Sequence, residues 1–192
     1  TNAQNHWLIN DVGDIDKFLS SDTASGESTT AGTTFNATSF TTASNDLYYN
    51  NNSPYVVWAW KGNGTGTAVS NSNGSITSTL SANTTAGFSI VTFTGTGSNA
   101  TVGHGFGSKP EWFLIKNRDA SSDFTSYHQG IGATKNLSIH ASDAVATSAT
   151  RFNNTEPTDS VFTVSTSVAV NGSSADYVVY CWSEVEGFSK FG

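Results

Sequence analysis

Tyr55-Val56-Val57-Trp58-Ala59-Trp60 returns almost residue for residue as Tyr177-Val178-Val179-Tyr180-Cys181-Trp182. In the first stretch Tyr55, Val57 and Ala59 fall on one side and Val56, Trp58 and Trp60 on the other, so both faces are apolar. Valine and aromatic residues suit a pleated backbone, and apolar side chains on both faces mark a strand covered on both sides. Both stretches are therefore expected to be interior strands. Trp112-Phe113-Leu114-Ile115 has the same character, and Ser89-Ile90-Val91-Thr92-Phe93 and Phe162-Thr163-Val164-Ser165 have strand composition bounded by polar turns. No window of 11 residues carries a helical stripe; at most a short helix is expected near 141–149. The expected fold is all-β, an antiparallel β-sandwich of the jelly-roll or lectin-like kind.

The two quoted stretches lie 122 residues apart, and the same offset carries Phe40-Thr41 onto Phe162-Thr163 without a gap. Trp7-Leu8-Ile9 resembles Phe113-Leu114-Ile115 at an offset of 106, which also lays Asp16-Lys17-Phe18 over Ser122-Asp123-Phe124. Anchors in one order imply two diverged tandem copies of one unit, the first incomplete and the second longer by 16 residues within 125–161. The expected division is 1–61 for the first copy and 87–192 for the second. Between them, 62–86 is a Gly/Ser/Asn/Thr-rich linker, or a hairpin turning at Asn73-Gly74. Gly187-Phe188-Ser189-Lys190-Phe191 echoes Gly87-Phe88-Ser89-Ile90-Val91, as if another unit were starting. With Thr1 first and no methionine, the chain reads as a window from a longer array.

Composition narrows the function classes. Only 12% of the 192 residues are charged, while Ser, Thr and Asn account for 73, so the skin is hydroxyl and amide rather than ionic. Eight basic residues against a net charge of −7 cannot build a phosphate-tracking groove, which argues against nucleic acid and against an anionic membrane surface. No apolar run reaches the roughly 18 residues of a membrane helix, so no membrane insertion is expected. One cysteine, Cys181, gives neither a disulfide framework nor a thiolate zinc site.

Several constellations carry chemistry on paper. Glu184-x-Glu186 would place two carboxylates on one strand face, roughly 7 Å apart, if the strand from Tyr177 continued; that is within the spacing of glycosidase carboxylates. Asp11-x-x-Asp14-x-Asp16, beside Asn10, offers hard oxygen ligands of the kind calcium takes, without matching an EF-hand loop; turn-forming Asp and Asn are the plainer reading. No Gly-x-Ser-x-Gly elbow is present, and no catalytic residue is expected. Glycan binding needs an aromatic face beside amides and hydroxyls. Tyr48-Tyr49 before three asparagines, His104 and Phe106 in a glycine-rich turn, and Tyr127-His128 are the loop candidates.

Gly103 to Arg118, Tyr127 to Leu137 and Tyr177 to Gly192 together resemble a tandem β-sandwich unit of structural proteins of marine tailed phages, above all cyanophages. The likeness covers 87–192 well; the first copy joins it only at Trp7-Leu8-Ile9 and Tyr55–Trp60. It implies a location on the virion surface, in a tail fibre or other appendage touching the host, and no residue roles. Homo-oligomerisation, a trimer by analogy with fibres, contact with other virion proteins and a host-surface glycan follow as expected partners. A neutral polar surface suits sea-water salt, where screening cuts ionic contacts to a few ångströms. Two other readings stand beside this one: a carbohydrate-binding or adhesin module of a secreted bacterial protein, and a polysaccharide depolymerase domain.

Overall fold

The computed structural model describes residues 6–12, 17–29, 33–36, 38–41, 54–63 and 67–192. Five short strands come first: β1 (Trp7–Leu8), β2 (Lys17–Ser20), β3 (Ser28–Thr29), β4 (Thr34–Phe35) and β5 (Phe40–Thr41). Eight more follow: β6 (Val69–Asn71), β7 (Ser78–Asn83), β8 (Phe88–Thr94), β9 (Ala100–Gly103), β10 (Trp112–Asn117), β11 (Thr125–His128), β12 (Lys135–Ser138) and β13 (Ala146–Thr147). Helix α1 (Ala149–Phe152), strand β14 (Val161–Val164), helix α2 (Val168–Asn171) and strand β15 (Asp176–Trp182) complete the order.

The fold is all-β and antiparallel. One eight-stranded sheet runs β13-β12-β11-β10-β15-β8-β7-β6. Its centre is β15, paired with β8 from Asp176↔Thr94 to Trp182↔Phe88 and with β10 from Trp112↔Trp182 to Asn117↔Tyr177. The strict alternation of these strands sorts their side chains onto two faces. Val91, Phe93, Phe113, Ile115, Tyr127, Tyr177, Val179 and Cys181 join Val102, Phe162 and Val164 of the β9–β14 pair, with Phe152 of α1 and Val170 of α2, in one core. Ring stacking fills it: Phe113 lies on Tyr127 at 4.7 Å and Phe93 on Tyr177 at 5.1 Å between centroids. On the opposite face Phe88, Ile90, Leu114, Val178, Tyr180 and Trp182 pack with Leu19 and Phe124 and against Leu8 and Val12. The small sheet β1-β2-β3 thus helps cover the second face.

Polar side chains lock the layers. The Tyr177 hydroxyl donates to the Val168 carbonyl at 2.6 Å and accepts from Gly172 N at 2.6 Å and Asn117 Nδ2 at 3.2 Å, tying α2 to the sheet. Lys116 is fully buried, and its Nζ donates to the carbonyls of Ala24 (3.0 Å), Ser122 (2.9 Å) and Ala120 (3.4 Å). Arg118 grips Glu27 through Nε and Nη2 at 3.1 and 2.9 Å. These contacts bind the loop around residues 24–27 to the end of β10.

Several expectations need correction. The expected strand at 55–60 lies outside any sheet; Val57 and Trp58 are 57% and 78% exposed. The division at residue 87 cuts through the sheet, because β6 and β7 within 62–86 are two of its strands, joined as a hairpin. That hairpin turns through six residues rather than at a tight Asn73-Gly74 pair, since Asn71 pairs with Ser78. The reason is the close approach at Gly74, whose added Cβ would lie 2.3 Å from the Thr101 carbonyl oxygen, so the loop is seated against β9. The helix expected near 141–149 forms later, as the single turn of α1. The described part of 1–61 builds one three-stranded and one two-stranded sheet.

Candidate functional site

The edge of the large sheet at β12 and β13 holds a polar cleft of about 260 Å³, lined by Asp123, Asn136, Ser138, Asp143, Arg151 and Ser167 among others. Three elements build it. Asp123 stands two residues ahead of β11, Asn136 and Ser138 sit on β12, and α1 presents Arg151 over the cleft. Arg151 Nη2 bonds Asp123 Oδ2 at 2.7 Å, and its Nη1 donates to Ser167 Oγ at 3.0 Å. Ser167 Oγ also caps α2 by accepting from Ala169 N. The guanidinium is thereby held by two partners. His140 Nε2 lies 3.8 Å from Asp123 Oδ1.

Beside this paired floor, satisfied hydrogen bonding breaks down. Asn136 is almost fully buried, and its Oδ1 has no hydrogen-bond partner among the described residues. The same holds for His140 Nδ1 and for Thr125 Oγ1, whose residue pairs with Ser138 across the β11–β12 ladder. Buried polar groups are normally satisfied, and of these three residues Asn136 is the one that lines the cleft, so its Oδ1 is an acceptor there with bonding capacity to spare. The lining offers an amide acceptor, hydroxyls and a neutralised ion pair to something small and rich in hydroxyls. It does not assemble a Ser–His–Asp relay. His140 Nδ1 contacts no serine hydroxyl, so no base is joined to a nucleophile there. The volume lies below the roughly 300 Å³ at which pockets for drug-sized ligands begin, which suits a single sugar ring.

The residues singled out from sequence fall elsewhere. His104 is fully buried: its Nδ1 accepts from Phe106 N at 3.3 Å, which leaves Nε2 to donate to the Thr158 carbonyl at 3.1 Å. Burial lowers its pKa, against the raising effects of the Thr158 bond and of Asp159. Phe106 is buried against it, and Tyr127 is wholly inside on β11, donating to Glu156 Oε2 at 2.5 Å. These rings offer no face to a glycan, and the expectation is corrected: the glycine-rich turn and the strand end fold inward because Phe106 and Tyr127 are core residues. His128 is half-buried at the end of β11, where its Nδ1 accepts from Gly130 N. Tyr48 and Tyr49 lie outside the described residues, as do Asp14 and Asp16. Asp11 is exposed, and neighbouring Asn10 turns away to donate to the Tyr180 hydroxyl at 3.2 Å. Among the described residues no group of three or more His, Cys, Asp or Glu gathers as metal ligands.

Glu184 and Glu186 do not continue the strand, which ends at Trp182. Glu184 Oε1 accepts from Phe191 N at 2.9 Å, and Glu186 is exposed in the turn beyond. The strand geometry expected to pair them is absent, although both residues border one open hollow with Phe188 and Lys190. Cys181 is buried on β15, in the core face of the sheet, and burial raises its thiol pKa, so it is chemically quiet.

The chain belongs to the family described as "Domain of unknown function (DUF7483)", whose model matches residues 1–192. No curated protein and no solved structure matches the chain. The cleft residues were hard to find by reading along the chain. Asp123, Asn136 and Arg151 are far apart in sequence, and Asn136 sits in a plain Lys-Asn-Leu-Ser strand. One signal was available: the chain has only two arginines, and each is spent on a single carboxylate in another element, Arg118 on Glu27 and Arg151 on Asp123.

Proposed function

We propose that the chain is a non-catalytic structural module of a tailed-phage virion, a segment of a tail fibre or related appendage that helps attach the particle to a host-surface glycan. The observation that carries the attachment role is the unpartnered, buried Asn136 Oδ1 of a residue lining a polar, sugar-sized cleft. Supporting it are the resemblance of 87–192 to marine phage structural units and the low-charge surface. Planar side chains such as amides and guanidinium groups bond adjacent sugar hydroxyls in pairs, and such contacts survive high salt. Location on the virion surface and assembly with other virion proteins belong to this reading.

The test is a glycan array at sea-water ionic strength, followed by binding of labelled protein to a panel of marine cyanobacteria. Specific binding is expected, weakened at least ~10-fold by Asn136→Leu and by Asp143→Ala at the rim, each loss of a polar contact being worth about 1.4 kcal/mol or more. Binding indifferent to both substitutions, or absent from array and cells alike, removes the attachment role. Hydrolysis of a bound glycan would instead favour the depolymerase reading.

A further inference from the structure

At the edge of the large sheet an unpartnered amide oxygen and a methyl group stand side by side. Asn136 on β12 pairs directly with Ala146 on β13. Side chains of directly opposed residues share one face of the sheet, about 5 Å apart. Both line the cleft, as do Ala144 and Ser138, the latter two residues along β12 on that same face. Asn136 is only 4% exposed and its Oδ1 has no partner among the described residues, whereas Ala144 and Ala146 are exposed. The charges of the cleft are one-sided. Arg151 is committed to Asp123 at 2.7 Å, so it offers no unpaired cation. Asp143 has no ion-pair partner among the described residues, in a chain whose net charge is already −7.

We infer that the cleft takes the acetamido group of a neutral 2-acetamido sugar, its N–H on Asn136 Oδ1 and its methyl against Ala146 and Ala144. The inference rests on the glycan-attachment reading of this cleft and names the ligand class. A free acceptor calls for a donor, and the alanine methyl beside it calls for an apolar group at a fixed distance from that donor. An acetamide supplies both on one edge. The N–H and C=O of a trans amide point to opposite edges, so the methyl on the carbonyl carbon lies on the N–H side. A plain ring hydroxyl reaches the acceptor but leaves Ala146 to water. A carboxylated or sulfated sugar meets Asp143 with no unpaired cation to offset it. The ammonium of a free amino sugar donates to Oδ1 and is drawn to Asp143, but it carries no methyl, and sea-water salt screens an exposed carboxylate. The remaining ring hydroxyls have Ser138 and Asp143 as partners.

The test titrates the full, isotope-labelled chain with N-acetylglucosamine, N-acetylgalactosamine, glucose, glucosamine and glucuronate at sea-water ionic strength. Amide NMR shifts report the protein side, and saturation transfer reports which ligand protons touch it. One or both N-acetyl sugars are expected to bind ~10-fold tighter than glucose, the combined worth of one hydrogen bond and one buried methyl. The largest shifts should fall on Asn136 and Ala146, and the strongest saturation on the acetamide methyl. Asn136→Leu should bring the N-acetyl sugars down to glucose. Ala146→Gln is the companion variant, at an exposed position where the longer side chain leaves the fold intact; by covering the methyl site it should erase the preference as well. Glucose, glucosamine or glucuronate binding as tightly as the N-acetyl sugars overturns the inference and leaves attachment through the cleft standing. So does a preference that survives Ala146→Gln, and so do silent N-acetyl sugars when the array finds another glycan that shifts the cleft. No shift at the cleft with any sugar, and no binding on the array, removes both this inference and the reading beneath it.

Discussion

Residues 177–182 and 55–60 carry nearly the same side chains and meet opposite fates. The later stretch is the centre of an eight-stranded sheet, with Tyr177, Val178, Val179 and Cys181 fully shielded from solvent. The earlier one lies outside any sheet, with Val56 and Trp58 mostly exposed. Local propensity is therefore equal, and the difference comes from what flanks each stretch in space. β15 has β8 on one side and β10 on the other, each matched over six or seven residue pairs. A strand buried on both faces needs two neighbours and two covering layers, and no six-residue sequence encodes those.

The sharpest way to break the comparison is to put a charge at matched positions. Val179→Asp buries a carboxylate between the two layers and should cost about 4 kcal/mol or more, enough to unfold the chain. Val57→Asp, at the copied position, should change stability by no more than about 0.5 kcal/mol. Urea unfolding followed by tryptophan fluorescence measures both. Equal penalties would mean that 55–60 is as buried in solution as β15.

Next in size is the attachment of the N-terminal part to the sheet. Lys116→Met leaves three carbonyls, those of Ala24, Ala120 and Ser122, without their donor. A cost of about 2–4 kcal/mol is expected, less the gain from no longer burying a charge. Hydrogen exchange should accelerate around residues 24–27 and leave β15 protected. If β15 loosens as much, the N-terminal part and the sheet behave as one cooperative unit rather than as core and cover.

Tyr177→Phe separates packing from hydrogen bonding within β15 itself. The ring and its stacking on Phe93 stay, while Val168 O and Gly172 N lose the hydroxyl. About 1–3 kcal/mol is expected, read by thermal or urea unfolding, with α2 the first element to lose protection. No change would mean that Val170 packing and the Asn117 and Asn171 bonds hold α2 without the hydroxyl.

The same contrast explains what could be read from sequence. The all-β sandwich was legible because Ser89–Phe93, Trp112–Ile115 and Phe162–Ser165 alternate or run apolar between polar turns, and that period is a local property. Segment 55–60 misled because the same property is shared by a stretch with no ladder. Phe106 and Tyr127 misled in the opposite sense, since glycines and polar neighbours made them look like loop tips, whereas Tyr127 shares a face with Phe113 across the β10–β11 ladder. The cleft was invisible for a stronger reason. It exists only where β12, α1 and the residue before β11 converge, and its distinguishing feature is a lack of partners for Asn136, which no motif displays.

The smallest effects are in the pH dependence, and they test whether the core around the ladder stays dry. His104 is held neutral by burial, so its folded pKa lies below the usual 6.5. As pH falls through 6.5 the unfolded chain takes up a proton that the folded chain refuses, and stability declines until the folded pKa is passed. Glu156 adds a second acid stage. Burial pushes its pKa up, but bonds from Tyr127, Ala133 N and Lys109 outweigh that and hold it low, so its contribution is lost below about pH 4.3. At the alkaline end, burial brings Lys116 from 10.5 down to about 8, against the pull of Asp123. Between those values the unfolded chain holds more protons than the folded one, and stability should climb with pH across that window. Urea midpoints from pH 2 to 10.5 check all three. His104→Gln should flatten the first acid stage and leave the second, and Lys116→Met should remove the alkaline rise. An acid profile already flat between pH 6.5 and 5 in the unaltered chain would mean that water reaches His104, and that the turn carrying Phe106 opens away from the core.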